Sequence, residues 1–161
     1  MTTTHQIYEA MQRIAPLELA ESWDNPGLLV DCGGQMHRVL AALDITPEVV
    51  AEAAAKQCEM IVSHHPVIFD PLKKIGPQDV PFQLVQAGIS AICMHTNLDA
   101  AEGGVGSEDN LVKFGDPEPD LGVGWHAPVA AWGEANKADL RAVGHAGALE
   151  LLAEEAPVEL L

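Results

Sequence analysis

The chain reads as an α/β protein with a parallel or mixed sheet, βαβ units and flanking helices, and three observations predict it. Short apolar runs at 39–43, 60–62 and 89–94 are too brief for helices and end in polar residues, as buried strands do. Helix-length segments with clear start and stop signals separate them. The runs finish in Asp44, in Ser63-His64-His65 and in His95-Thr96-Asn97-Leu98-Asp99, so the residues able to do chemistry collect where the strands stop. In open α/β sheets ligands bind beyond the carboxyl ends of the strands, so these three endings are expected to converge.

Taken in order, Thr4 is placed to cap a first helix whose apolar positions Ile7, Met11 and Ile14 recur at four and three residues, one face of a 3.6-residue period. Pro16 ends it or starts the next, a short helical segment over 17–22 that leads into Trp23-Asp24-Asn25-Pro26-Gly27, a dense turn signal. A strand over 28–30 follows and is broken by Gly33-Gly34. After the run at 39–43, Thr46 is an N-cap, Pro47 suits the first helical position, and Glu48 suits the positive helix end. The helix this starts, over 47–57, can bury Val49, Val50, Ala53 and Ala54 and returns the chain to 60–62. Strand, helix and strand imply a parallel pair with a right-handed crossover.

Pro66 lacks an amide hydrogen and biases His65 towards extended backbone, so the ladder is expected to stop at the two histidines. Residues 69–81 read as a loop carrying Lys73-Lys74. Pro81 starts a helix through Leu84 and Val85 that Gly88 terminates before the strand at 89–94. Gly103-Gly104-Val105-Gly106 lacks the Lys-Ser/Thr of a P-loop and reads as a turn. Ser107 caps a short helix through Val112, residues 115–128 form a loop, and 135–141 and 146–155 are helical. The division expected is an α/β domain over 1–114 and a loop-rich, helical segment over 115–161.

Composition narrows the function classes. With 161 residues the chain fits one ordinary domain; 48% are hydrophobic but only 4% aromatic, so the core must be aliphatic and rich in alanine. The formal charge of −16, from 24 acidic and 8 basic residues, repels phosphate backbones and anionic membranes, excluding a basic nucleic-acid face and a membrane partner. It attracts divalent cations, although solubility or a high-salt habitat explains it equally well. Cys32, Cys58 and Cys93 form no framework, and no apolar stretch is long enough for a leader or a span, so a cytoplasmic protein is expected.

Imidazole with carboxylate is the ligand set of Zn, Mn or Fe sites. Neighbours on a strand point to opposite faces, so His64 and His65 share one ion only where the backbone turns, and otherwise serve two ions that a carboxylate such as Asp99 can bridge. The plainer readings are loop-edge polar residues for the pair and a helix N-cap for Asp99. His95 and Asp44 are read as hydrogen-bonding supports of the ligands rather than as ligands.

Five motifs, in order, carry a resemblance. They are Ala15-Pro16; Ala20-Glu21-Ser22-Trp23-Asp24-Asn25 with Gly27-Leu28; Leu43-Asp44-Ile45-Thr46-Pro47; Ile61-Val62-Ser63-His64-His65-Pro66; and His95-Thr96-Asn97-Leu98-Asp99-Ala100-Ala101 with Gly103-Gly104-Val105. Together they resemble the Ngg-interacting-factor-three family, whose bacterial members are labelled GTP cyclohydrolase I type 2 homologs. The resemblance implies one half of a two-part α/β fold, a centre of two divalent ions (Zn, Fe or Mn), a homo-oligomer of hexameric kind and a purine nucleotide as small-molecule substrate. It implies metal ligation by His64 and His65, and a bridging role for Asp99. The family's closing Gly-His-x-x-Thr-Glu motif has only a partial counterpart in Gly144-His145 and Glu150, where the acid falls one residue late and off the helical face of His145. The function expected is a metal-dependent hydrolase acting on a nucleotide, the alternative a non-catalytic metal-binding or regulatory interaction protein.

Overall fold

The computed structural model describes residues 2–101, 152, 156 and 158–161. A first strand β1 (Thr2–Thr3) runs directly into helix α1 (Thr4–Ile14). The cap is Thr3 rather than Thr4: its hydroxyl accepts from Gln6 N while the Gln6 side chain accepts from Thr3 N, a reciprocal capping box. Both threonines can cap, and the glutamine three residues on decides between them. The helical segment expected over 17–22 is only a single 3₁₀ turn, Leu17–Leu19.

Strands β2 (Gly27–Val30), β3 (Gln35–Met36) and β4 (Arg38–Ala42) follow, then α2 (Pro47–Ala55), β5 (Met60–Ser63), α3 (Val80–Ala87), β6 (Ser90–Cys93), α4 (Thr96–Ala100) and β7 (Glu159–Leu160). Thr46 caps α2 through Val49 N, with Pro47 at its first turn. Gly88, at φ 70°, ends α3 in the left-handed region that glycine tolerates.

The main sheet has the order β2-β6-β5-β4-β7. It is mixed: β4, β5, β6 and β7 are parallel, whereas β2 lies antiparallel on β6. The crossover β4-α2-β5 expected from the sequence is present, in the register Val39 to Met60 through Ala42 to Ser63. A two-stranded ladder, β1 with β3, stands apart.

The central strands alternate strictly between two apolar layers. Val39, Met60, Val62 and Ile92 face the layer that holds Ile7, Ala10 and Met11 of α1; Leu40, Ile61 and Ala91 face the layer that holds Val50 and Ala53 of α2 and Leu84 of α3. Both faces are covered, which is why β5 and β6 read as unbroken apolar runs. Each fully buried Ile, Met or Val contributes roughly 1.5–3 kcal/mol of transfer free energy, and this packing fixes the height at which the strands stop.

Leu152 and Ala156 join the α1 layer. The rest of the expected 115–161 segment, together with the turn at 103–106, the Ser107 helix, His145 and Glu150, lies outside the described residues, save 158–161 in and around β7.

Candidate metal centre

The polar strand endings do converge. Past Ser63 the backbone of β5 is still pinned on both sides: His64 N donates to Ala42 O, His65 N to Leu43 O, and Met94 N to Ser63 O. The Ser63 hydroxyl donates to His65 O at 2.9 Å and the Cys93 thiol to His64 O at 2.9 Å, holding a bend at the pair. Burial pushes the Cys93 thiol well above its ordinary range, with the Asp24 charge adding to the effect. Its sulfur is engaged with His64 O, and the clustered ligating atoms are those of the histidines.

The bend brings both imidazoles to one side. The His64 and His65 ring centroids are 5.1 Å apart, and His95 lies 5.1 Å from His64 and 5.6 Å from His65. One ligating atom from each of His64, His65 and His95 falls within 4.8 Å of the other two. His95, expected only as a support, thus belongs spatially with the pair. Asp99, in α4, puts Oδ1 3.5 Å from His64 Nε2. Asp44 stands behind His65, with Oδ1 2.7 Å from Nδ1, where a supporting carboxylate was expected.

The three imidazoles share one arrangement. Nδ1 of His64 faces Met94 O at 3.1 Å, that of His65 faces Asp44 Oδ1 at 2.7 Å, and that of His95 faces Asp24 Oδ1 at 2.8 Å. A carbonyl or an ionised carboxylate only accepts, so each neutral ring must carry its proton on Nδ1, and the lone pair falls on Nε2. Orientation of a ligating histidine by an oxygen on its other nitrogen is the usual outer arrangement of metal sites. The 3.5 Å between His64 Nε2 and Asp99 Oδ1 is long for a hydrogen bond but near the roughly 3.4 Å that separates two donors each about 2.1 Å from one tetrahedral cation. The donor set present therefore fits a divalent cation.

Asp24 is the supporting residue that sequence reading missed. Its side chain is 0% exposed and accepts from His95 Nδ1, Thr96 N, the Thr96 hydroxyl and Asn25 N. Burial raises its carboxyl, but the hydrogen bonds from Thr96, His95 and Asn25 outweigh burial and hold it below the usual carboxylate range. Asn97, fully buried, adds a second brace: Oδ1 accepts from His95 N at 2.9 Å and Nδ2 donates to Ala15 O at 2.8 Å. The available signal for Asp24 was its place in a turn motif rather than at a strand end, and nothing local tied it to His95.

Comparison with known proteins agrees with this fold. The family described as Duf34/NIF3 (NGG1p interacting factor 3) matches residues 2–113. A Helicobacter pylori protein named GTP cyclohydrolase 1 type 2 is 38% identical over 104 residues, covering 62% of this chain and 42% of that protein. NGG1-interacting factor 3 of Saccharomyces cerevisiae is 36% identical over 123 residues, covering 67% of this chain and again 42% of the relative. The crystal structure of a Bacillus cereus protein related to NIF3 superposes with a TM-score of 0.59 at 35% identity, over 65% of this chain and 30% of that one. The chain spans about two-fifths of the length of the two curated relatives. By the match over residues 2–113 and the shared fold, it belongs to the Duf34/NIF3 family.

Proposed function

We propose that the chain is a metal-dependent hydrolase that holds two divalent ions, of Zn, Fe or Mn, and acts on a nucleotide. The observation that carries this is the common orientation of His64, His65 and His95, with Nδ1 of each engaged by oxygen and Asp99 alongside. A divalent cation held by His64, His65, His95 and Asp99 would supply Lewis acidity and lower the pKa of a water at that point. The chain's own residues do the rest. Met94 O, Asp44 and Asp24 fix the tautomers and hold the rings in their orientation. Asp99 brings a carboxylate oxygen within 3.5 Å of His64 Nε2 and would be the acidic ligand of a bound cation. Asp44 and His65 form the open side of the cluster, with side chains 55% and 42% exposed.

The nucleotide comes from the printed name of the Helicobacter pylori relative, GTP cyclohydrolase 1 type 2. Assembly as a homo-oligomer and a cytoplasmic location complete the reading; the free thiols of Cys32, Cys58 and Cys93 suit a reducing compartment, and no described helix is long and apolar enough to cross a membrane. The printed name of the Saccharomyces cerevisiae relative, NGG1-interacting factor 3, favours one second reading, a metal-binding or interaction protein without turnover.

The test is metal analysis of the purified, reconstituted chain followed by GTP hydrolysis, with His65→Ala beside wild type. Bound metal with turnover lost in the variant is expected. Metal without turnover of any nucleotide selects the second reading, and absence of metal overturns the hydrolase reading and the metal-binding form of the second.

A further inference from the structure

We infer that Trp23 and Phe69 form a stacking shelf for a planar nitrogen heterocycle, such as a purine base, at the mouth of the histidine cluster; this rests on the proposed function and names the part of the substrate that the chain grips. The two ring centroids are 6.1 Å apart with the planes inclined at 43°, and Trp23 meets His95 edge-on at 6.1 Å. Both side chains are half exposed, Trp23 at 50% and Phe69 at 47%. In a chain with only 4% aromatic residues, these two stay half exposed rather than joining the core, and Trp23 sits against one imidazole of the cluster.

The shelf is built rather than incidental. Trp23 precedes Asp24, whose carboxylate holds His95 and Thr96. Phe69 follows Ile68, whose carbonyl accepts from Asn25 Nδ2 at 2.7 Å. The same turn therefore ties both rings to the framework that orients His95, so a ring resting on the shelf is brought beside the His95 imidazole. Charge argues for the same division of labour. At a net charge of −16 the surface does not attract phosphate, and base stacking is the uncharged interaction that can hold a nucleotide against it.

The experiment measures guanosine and ribose 5-phosphate binding by calorimetry to the full metal-reconstituted chain and to Trp23→Ala, Phe69→Ala and Trp23→Phe. Guanosine affinity is expected to fall about tenfold in each alanine variant and to stay within about threefold in Trp23→Phe. Ribose 5-phosphate binding and metal content should match wild type throughout. Unchanged guanosine affinity in both alanine variants overturns the shelf. So does a wild-type chain that takes no guanosine and loses self-association in Trp23→Ala, since the pair is then an interface between protein surfaces. Guanosine bound by a chain that holds no metal supports the shelf while the metal reading fails; metal bound without guanosine does the reverse.

Discussion

Replacing Asp24 by asparagine tests how the centre is held. The substitution keeps the shape of a side chain that is 0% exposed but removes its charge and one of two acceptor oxygens. Oδ1 serves His95 Nδ1 and Asn25 N, and Oδ2 serves the amide and hydroxyl of Thr96. Whichever way the new amide turns, its NH2 faces a backbone N–H that cannot become an acceptor, either Asn25 N or Thr96 N. One buried donor loses its partner at a cost of about 1–3 kcal/mol, and the remaining bonds lose their charge assistance, so a total near 3 kcal/mol is expected. If the NH2 turns towards His95, the ring must accept at Nδ1 and move its proton to Nε2, which removes the lone pair the cation needs. Metal affinity should then fall roughly 10- to 100-fold. Urea denaturation of the metal-free chain reads the first quantity and a chelator competition with Co or Zn reads the second. There is a pH signature as well. The folded carboxyl titrates below its ordinary 3.8, so its stabilisation is complete above that value and is lost as pH falls through the folded pKa. Wild type and Asp24→Asn should therefore draw together in acid. Equal metal affinity and equal stability in the variant would refute the idea that Asp24 sets the His95 tautomer.

Three further outcomes follow from the fold. Ile92→Ala, in the middle of the sheet at 0% exposure, should cost about 3–4 kcal/mol in denaturant titration through the cavity it leaves. Gly27→Ala should cost roughly 2–3 kcal/mol, because φ is +119° and the new Cβ would sit 3.1 Å from Tyr8 Oη; the change is read as a lowered thermal midpoint. Glu59 accepts from His37 N and Arg38 N, so Glu59→Gln should cost about 1 kcal/mol at neutral pH. Burial raises the Glu59 carboxyl, but these bonds win and lower it from 4.5; the difference from wild type should persist above that pH and shrink as pH falls below it.

Period and punctuation carried the central layers. Apolar runs closed by polar residues, with Thr46-Pro47 and Gly88 marking helix ends, placed α2, α3 and the three central strands within a residue or two. Long-range pairing was not legible: neither the antiparallel direction of β2 nor the return of β7 to the edge beside β4 leaves a local mark. The same holds at the centre. His64, His65, Asp44 and Asp99 sit at strand ends or just beyond them, where a general rule about α/β sheets finds them. The link from Asp24 to His95 spans 71 residues and depends on how the first turn packs over α4, which spacing does not encode. His95 reads as a support from the sequence, and its closeness to the pair, 5.1 Å from His64 and 5.6 Å from His65 between ring centroids, likewise leaves no local mark.

The oxygens behind His95 and His65 differ in one respect that governs traffic. Asp24 is sealed from water, whereas Asp44 is 55% exposed and His65 42%. One wall of the cluster is thus locked and the other can yield, since a solvated carboxylate can release its imidazole at little cost and take it back. Ions and small molecules should enter and leave past His65, with His95 as the fixed reference against which each new occupant is aligned.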